Sequence, residues 1–384
     1  MKIRKYVNPG FVDDVVRINY IYAFRKDELL TIKLISKLLL EGTITQEKRS
    51  SLKRKLMQNY DAEIDIGGAV LSNVLALTFE VRGMDKNLLP GNESVIKNIT
   101  EILMDCINNT NILLRDIDED KLKKAKEIIL EEREYDKNSI LRVIEEAKEI
   151  NINYKEDLEK ITVEDLKNVY MKIITTGKIF VQIQGASEEE LNKVSDIIKK
   201  NICYSSEDEI NIKYKKIKDV MSISSESHLD STRVDFVLER KSQEISVKEL
   251  ILMQVIANMY NDLMFTVVRE KYNLSYNPSA IANISENSII LSANVSKENK
   301  ELAITLMSYI VDLVTNYDFE QEDLEYLTNF LYDSLEVDMN QDLYNETLNV
   351  KRLKVEDIEN ITVEDLKEHA KNYEVKLVHY LGGK

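Results

Sequence analysis

The chain alternates short runs in which every second residue is apolar, typical of strands, with longer runs of helical apolar spacing. In its first part, a helical run ends near Tyr60 and strand-like runs follow at 62–66 and 69–81. Gly67 and Gly68 stand between these two runs and favour the tight turn of a β-hairpin. The pattern therefore predicts a helix followed by a hairpin.

The second part of the chain repeats this order. Residues 250–269 have helical apolar spacing, and the runs 277–284 and 288–295 predict a hairpin around Glu286 and Asn287. Amphipathic helices are predicted after each hairpin, at 95–107 and 121–132 in the first part and at 302–315 and 321–335 in the second. Each part thus has the order strand, helix, hairpin, helices, strand.

A repeated heptapeptide supports an internal duplication. Ile-Thr-Val-Glu-Asp-Leu-Lys occurs at 161–167 and again at 361–367. Thr162 and Thr362 are predicted helix N-caps, because an acidic residue three positions later completes the capping pattern that satisfies the first backbone N–H groups. Both copies then lead into a strand-like run that ends at a glycine.

The predicted fold class is α+β, with two homologous halves that each contain a mainly antiparallel sheet covered by helices. A chain of 384 residues also exceeds the length that one hydrophobic core usually serves. The predicted halves are 1–204 and 227–384, and the polar stretch 205–226 is the predicted linker between them.

Composition narrows the function classes. With 43% hydrophobic and 31% charged residues, the chain has the apolar content of a folded protein, and its net charge of −16 argues against nucleic acid or an anionic membrane as partner. We expect a cytoplasmic protein, since no signal peptide and no uninterrupted membrane-spanning run is apparent. Cys106 and Cys203 are expected to be core thiols, which predicts neither a disulfide framework nor a cysteine-based zinc site.

The most specific local pattern lies at 265–276, where Arg269-Glu-Lys precedes Leu274 and Tyr276. This segment resembles the R-E-K-x-x-L-x-Y segment in the C-terminal half of the pitrilysin (insulinase-like, M16) zinc peptidases. The resemblance implies an M16 peptidase-like fold in which two halves enclose a peptide-binding chamber. It also implies that Arg269 and Tyr276 donate hydrogen bonds to a peptide or to the oxyanion that forms during its cleavage.

The zinc-binding pattern of that family is missing. Gly42-Thr43 resembles the end of the metal helix, upstream of which the family carries His-x-x-Glu-His. The corresponding residues here are Lys33, Ser36 and Lys37, none of which is a zinc ligand in this setting, and the two lysines would repel a dication. We therefore expect neither a metal site nor a cofactor in this chain.

The three histidines, His228, His369 and His379, all lie in the second half and are not spaced as a helical ligand pair. Surface positions are expected for His228 and His369. His379 is expected in the core or on the surface of the last strand.

An ordinary interpretation of the Arg269 segment stays open. Arg269 would then pair with a local carboxylate, and Tyr276 would pack at a strand start with its hydroxyl in water. The residue pattern of the whole segment favours the interpretation in which Arg269 and Tyr276 are functional donors.

The resemblance implies a non-catalytic subunit of a heterodimeric peptidase, not active alone, whose partner is an M16 homologue that carries the zinc. This chain would complete the chamber and bind peptide substrate, with a bacterial source and peptide maturation as further expectations. One alternative is a structural or peptide-binding protein, as a homodimer, with no peptidase role. Another is an independent zinc peptidase with relocated ligands.

Overall fold

The computed structural model contains two compact units. Unit 1 comprises Met1–Glu132 and Ile152–Ile212, and unit 2 comprises Arg133–Asn151 and Lys213–Lys384. The structure describes residues 1–383 except 44, 47, 92, 115–116, 137, 149–151, 203–209, 211, 228–230 and 336–338. Cys203 and His228 lie outside the described residues, whereas Cys106 is buried as expected.

Unit 1 is built on a mixed five-stranded sheet in the order β1-β5-β2-β4-β3, in which only the β1–β5 pair is parallel. The strands are β1 (Lys2–Val7), β2 (Asp13–Ala23), β3 (Glu63–Leu71), β4 (Val74–Met84) and β5 (Lys178–Gly185). The helices of this part of the chain are α1 (Leu29–Leu38), α2 (Arg49–Met57), α3 (Val95–Asn108), α4 (Asn111–Leu114), α5 (Glu119–Tyr135), α6 (Ile140–Ala147), α7 (Tyr154–Lys160), α8 (Val163–Thr176) and α9 (Glu188–Asn201).

Unit 2 repeats this topology with a sheet in the order β6-β10-β7-β9-β8, in which only β6–β10 is parallel. The strands are β6 (Met221–Ser227), β7 (Ser231–Arg240), β8 (Ser279–Asn283), β9 (Ser288–Ser296) and β10 (Tyr373–Gly383). The helices are α10 (Val247–Leu263), α11 (Lys300–Thr315), α12 (Gln321–Thr328), α13 (Met339–Leu348), α14 (Val355–Glu359) and α15 (Val363–Ala370).

The predicted α+β fold class is confirmed: each unit has a mixed, mainly antiparallel sheet that packs against helices through one large apolar core. The repeated heptapeptide starts α8 and α15, as predicted. The backbone N–H of Asp165 donates to Thr162 Oγ1, and that of Asp365 donates to Thr362 Oγ1, each at 3.2 Å. The duplication is thus visible in strand order and in local capping.

The predicted turn at Gly67 and Gly68 is wrong. Both glycines lie inside β3, where Gly67 pairs with Thr78 and Gly68 with Leu77, and the hairpin reverses at Ser72 and Asn73 instead. Ser72 supplies the positive φ (55°) that the turn needs. A glycine pair is compatible with an outer strand such as β3, and so it did not identify the turn.

Helix α10 continues into a π-helical segment, Met264–Lys271. Within the described part of the chain, Val247–Lys271 is the stretch whose length and composition would allow a helix to cross a membrane, with a mean hydropathy of 1.3. The apolar sequence of this helix contains the polar residues Asn261 and Asp262. In its most apolar part, 56% of the residues are buried. Its apolar residues belong to the core of unit 2.

The segment Arg133–Asn151 lies within the predicted first half but belongs to unit 2 by its contacts. Val143 and Ile144 of α6 pack with Val237 and Leu377 in a small apolar cluster on the face of the sheet opposite the main core. Strand β6 begins inside the stretch predicted as a linker, 205–226. Both segments, Arg133–Asn151 and β6, are positioned by contacts with residues far away in the sequence. A local sequence pattern does not reveal such contacts.

Candidate functional site

Helix α1 carries the three residues that stand where the zinc pattern would be. Lys33 Nζ donates to the hydroxyl of Tyr154 at 3.1 Å, and Lys37 Nζ lies 2.5 Å from Glu132 Oε1. Ser36 Oγ donates back to the carbonyl of Lys33 at 2.8 Å, a bond local to the helix. Both ammonium groups and the hydroxyl thus have partners within unit 1.

These residues do not fit a zinc ion. Two ammonium groups have no lone pair to offer and would repel a dication, and a zinc site needs imidazole, thiolate or carboxylate ligands. In the described residues, no group of three or more His, Cys, Asp or Glu side chains could hold a metal ion.

Arg269 and Tyr276, the two predicted donors, lie together in unit 2. The guanidinium carbon of Arg269 is 4.6 Å from the ring centre of Phe265 and 4.7 Å from that of Tyr276. Both distances are within the range of cation–π contact. Arg269 therefore stacks between two aromatic rings, one of which is the predicted partner.

The local backbone explains this stack. Phe265 and Arg269 lie four residues apart in the π-helical segment, on neighbouring turns. Asn273 then adopts φ 50°, and the N–H of Leu274 donates to the carbonyl of Val268 at 2.9 Å, which turns the chain back over the helix end. This reversal brings Tyr276 onto the guanidinium.

The stack presents polar groups to solvent. Tyr276 is 77% exposed and Phe265 39% exposed. Across the described part of the chain, Arg269 makes no ion pair with a carboxylate, so the interpretation as a local ion pair does not describe its contacts. A guanidinium carries five N–H donors, and contact with two aromatic rings does not use them as hydrogen bonds to a carboxylate.

A groove of about 610 Å³ lies in unit 1 beside the outer strand β3. Arg49, Lys53 and Met57 line its α2 side, and Glu63 and Asp65 line its β3 side. Sequence patterns did not reveal it, because its two walls are a helix and a strand that are each ordinary when considered alone.

Two of the histidines are described, and both are buried. His379 lies within β10, as expected. The predicted surface position of His369 is wrong: its Nε2 is 2.9 Å from the hydroxyl of Tyr373, and burial together with the charge of Arg240 lowers its pKa to about 3. His369 lies in the last turn of α15, on the side of the helix that faces the core. The residues next to it in sequence did not indicate this buried position.

No protein-family model matches the sequence, and no curated protein sequence matches it. The structure is similar to that of a conserved protein from Enterococcus faecalis V583, with a TM-score of 0.79 and 15% identity over 100% of this chain and 96% of that one. It is also similar to a peptidase M16 inactive domain from Pseudomonas fluorescens, with a TM-score of 0.76 and 13% identity over 100% of this chain and 95% of that one.

Pitrilysin is a third similar structure, with a TM-score of 0.68 and 14% identity over 100% of this chain and 44% of pitrilysin. At these identities the similarity establishes the fold alone. The fold is that of M16 peptidases, as the Arg269 segment suggested, and it includes structures described as inactive.

Proposed function

We propose that this chain is the non-catalytic subunit of a two-chain M16-like zinc peptidase. The observation that carries the proposal is the contrast between the two units of an M16 fold. Helix α1 has Lys33, Ser36 and Lys37 at the metal positions, whereas unit 2 carries the Arg269–Tyr276 pair, with Arg269 partly buried and Tyr276 exposed. A chain with these donors, and without metal ligands at the three metal positions, is suited to complete a site on another chain.

The proposed partner is a homologue that carries His-x-x-Glu-His and its zinc, and the pair is proposed to act in the cytoplasm. In this arrangement Arg269 and Tyr276 donate hydrogen bonds to a carbonyl of the bound peptide. Fixed donors are effective because they need no reorganisation as negative charge develops, and one such donor contributes about 3–4 kcal/mol at the transition state. The ring faces of Phe265 and Tyr276 hold the guanidinium in place before the peptide arrives.

The groove beside β3 supports peptide binding. An outer strand can accept an extended peptide as an additional strand, so that backbone hydrogen bonds supply affinity and side-chain pockets supply selectivity. The groove has basic residues and the apolar side chain of Met57 on its α2 side and acidic residues on its β3 side. Such a lining suits a peptide of mixed charge.

Co-purification with the zinc-bearing homologue tests the proposal. Peptidase activity of the pair would be compared for wild type, Arg269→Ala, Tyr276→Phe and the control Lys271→Ala, a cation in the same helical segment that stacks on Tyr272 instead. We expect kcat/KM to fall about 100-fold for Arg269→Ala and about 10-fold for Tyr276→Phe, with the control unchanged.

Three results would contradict parts of this proposal. Full activity of both variants would remove the donor role. An equally active homologue without this chain would remove the pair. Stoichiometric zinc in this chain after purification alone would favour the independent peptidase.

The groove also favours a second candidate, a peptide-binding protein that forms a homodimer and has no peptidase role. Sedimentation and peptide titration of the isolated chain distinguish the two. Peptide binding by a homodimer that ignores the zinc-bearing homologue would support this second candidate.

A further inference from the structure

A row of four hydrogen-bonded side chains crosses the sheet of unit 2, one residue from each of four neighbouring strands. We call it the unit 2 row: Ser225 of β6, His379 of β10, Asp235 of β7 and Ser292 of β9. Asp235 is paired in register with both His379 and Ser292. The row lies on the face of the sheet that α6 partly covers, beside Val237 and Leu377.

The hydrogen bonds connect Ser225, His379 and Asp235 in the order of a nucleophile, a general base and the carboxylate that orients the base. Ser225 Oγ is 3.0 Å from His379 Nε2, and His379 Nδ1 is 3.0 Å from Asp235 Oδ2. Because a carboxylate only accepts hydrogen bonds, the neutral imidazole carries its proton on Nδ1 and leaves Nε2 to accept from the serine hydroxyl. This is the tautomer in which a histidine can take a proton from serine.

Further contacts hold the carboxylate in place. Ser292 Oγ donates to Asp235 Oδ1 at 2.6 Å, and Arg233 Nε donates to Oδ2 at 2.9 Å. Asp235 and His379 are completely buried, whereas Ser225 is partly exposed. His379 and Asp235 are therefore held in place and shielded from solvent, and Ser225 is the member of the row that a substrate can reach.

The surroundings of Ser225 favour an uncharged acyl group. Its register partner on β10 is Leu381, and the preceding residue of β6 on the same face is Ile223. The guanidinium of Arg233 is engaged by Asp235 and by the carbonyl of Asn138. The Asn138 amide contacts the same strand one residue further on, where its Nδ2 donates one hydrogen to the carbonyl of Glu226 at 3.2 Å.

We propose that Ser225, His379 and Asp235 form a hydrolytic site for short-chain carboxylic esters, with Ser225 and His379 as catalytic residues and Asp235 as a positioning residue. Ser225 Oγ bonds to the carbonyl carbon while its proton passes to His379 Nε2. The bond to the leaving alcohol breaks as that alcohol takes the proton. Water then attacks the acyl-serine, its proton returns through His379 to Ser225 Oγ, and the free acid leaves. This activity is independent of the proposed peptidase pair.

Covalent labelling of the isolated full chain tests this site. A fluorophosphonate probe should add once, on Ser225, as located by intact mass and peptide mapping. Ser225→Ala should abolish the adduct, and the control Ser224→Ala, an exposed serine one residue away that points to the other face, should keep it. The chain should also hydrolyse p-nitrophenyl acetate in the presence of a metal chelator.

Asp235→Asn separates positioning from folding. The asparagine keeps the shape but favours the wrong histidine tautomer, so labelling should slow at least 100-fold in protein that retains the wild-type circular dichroism spectrum. If wild type is not labelled, is labelled elsewhere, or is labelled equally in Ser225→Ala, the row is only a satisfied polar network and the proposal is wrong.

Discussion

Each unit carries a hydrogen-bonded polar row across corresponding strands of its sheet, and the two rows differ in their chemistry. In unit 1 the row consists of Tyr6, Gln182, Asn19 and Thr78, on the strands that correspond to those of the unit 2 row. Gln182 Nε2 donates to the hydroxyl of Tyr6 at 3.0 Å, Asn19 Nδ2 to Gln182 Oε1 at 3.2 Å, and Thr78 Oγ1 to Asn19 Oδ1 at 2.8 Å.

The comparison shows what the fold requires and what it leaves open. A buried sheet face that contains one polar side chain needs others beside it, because each unpartnered buried group costs about 1–3 kcal/mol. Amides and hydroxyls meet this need in unit 1. Unit 2 meets the same need with a carboxylate, an imidazole and two hydroxyls, those of Asp235, His379, Ser225 and Ser292. The proposed zinc-less role shows a similar asymmetry, since the Arg269–Tyr276 pair lies in unit 2 and the metal positions in unit 1 hold Lys33, Ser36 and Lys37.

The largest effect in this comparison is expected for the centre of each row. Asp235→Ala leaves His379, Ser292 and Arg233 without their shared acceptor and should destabilise unit 2 by about 3–5 kcal/mol. Asn19→Ala removes a neutral partner and should destabilise unit 1 by about 2 kcal/mol. Hydrogen exchange, followed separately on β7 and β2, measures both. Equal losses in the two units would mean that the charge of Asp235 adds nothing to its row.

In unit 1, one buried carboxyl is expected to make the stability depend on pH. Burial, with the carboxylates of Asp85 and Glu190, raises the pKa of Asp14 to about 7. The folded state thus holds a proton that the unfolded chain releases, so this group's contribution falls as pH rises from about 4 to 7. Asp14→Asn should stabilise unit 1 by about 2–4 kcal/mol at pH 8 and hardly at pH 4.

Thr232 occupies the position in unit 2 that corresponds to Asp14, as the second residue of its strand. Thr232→Ser should therefore leave the pH dependence of unit 2 unchanged. Thermal melts from pH 4 to 8 would show both results. A wild-type unit 1 whose stability does not decline across this range would refute the raised pKa of Asp14.

Two glycines, Gly185 and Gly382, face Asp14 and Thr232 respectively and differ in how much space surrounds them. A Cβ on Gly185 would lie 2.3 Å from Asp14 Oδ1, whereas a Cβ on Gly382 would lie 3.4 Å from Thr232 Oγ1. Gly185→Ala should cost about 1–3 kcal/mol, and Gly382→Ala less than about 0.5 kcal/mol. Denaturation monitored by hydrogen exchange in β5 and β10 checks this, and a tolerated Gly185→Ala would mean that the Asp14 carboxylate moves freely.

The loss of a helix cap should have the same small effect in both units. Thr162→Ala and Thr362→Ala each remove one helix cap and should each cost about 1 kcal/mol, whereas the corresponding Thr→Ser variants should cost little because serine also caps. Helix-resolved exchange in α8 and α15 measures the losses. A cost in only one unit would show that the two copies of the heptapeptide no longer have equal structural roles.

Much of the fold was predictable because its signals are local. Apolar periodicity fixed the order of helices and strands, and the threonine caps at Thr162 and Thr362 act over three residues. The residue pattern around Arg269 and Tyr276 indicated that these two residues act in the same site. Residue spacing alone did not indicate the ring stack, because Phe265, Arg269 and Tyr276 meet through the reversal at Asn273.

Tertiary structure decided the rest. The hairpin turn at Ser72, the assignment of Arg133–Asn151 to unit 2 and the unit 2 row depend on which strands and segments become neighbours. Asp235 and His379 are 144 residues apart in the chain but 3.0 Å apart in the sheet. A local pattern carries no information about such a pair, because the register of two distant strands is set by the packing of the whole sheet.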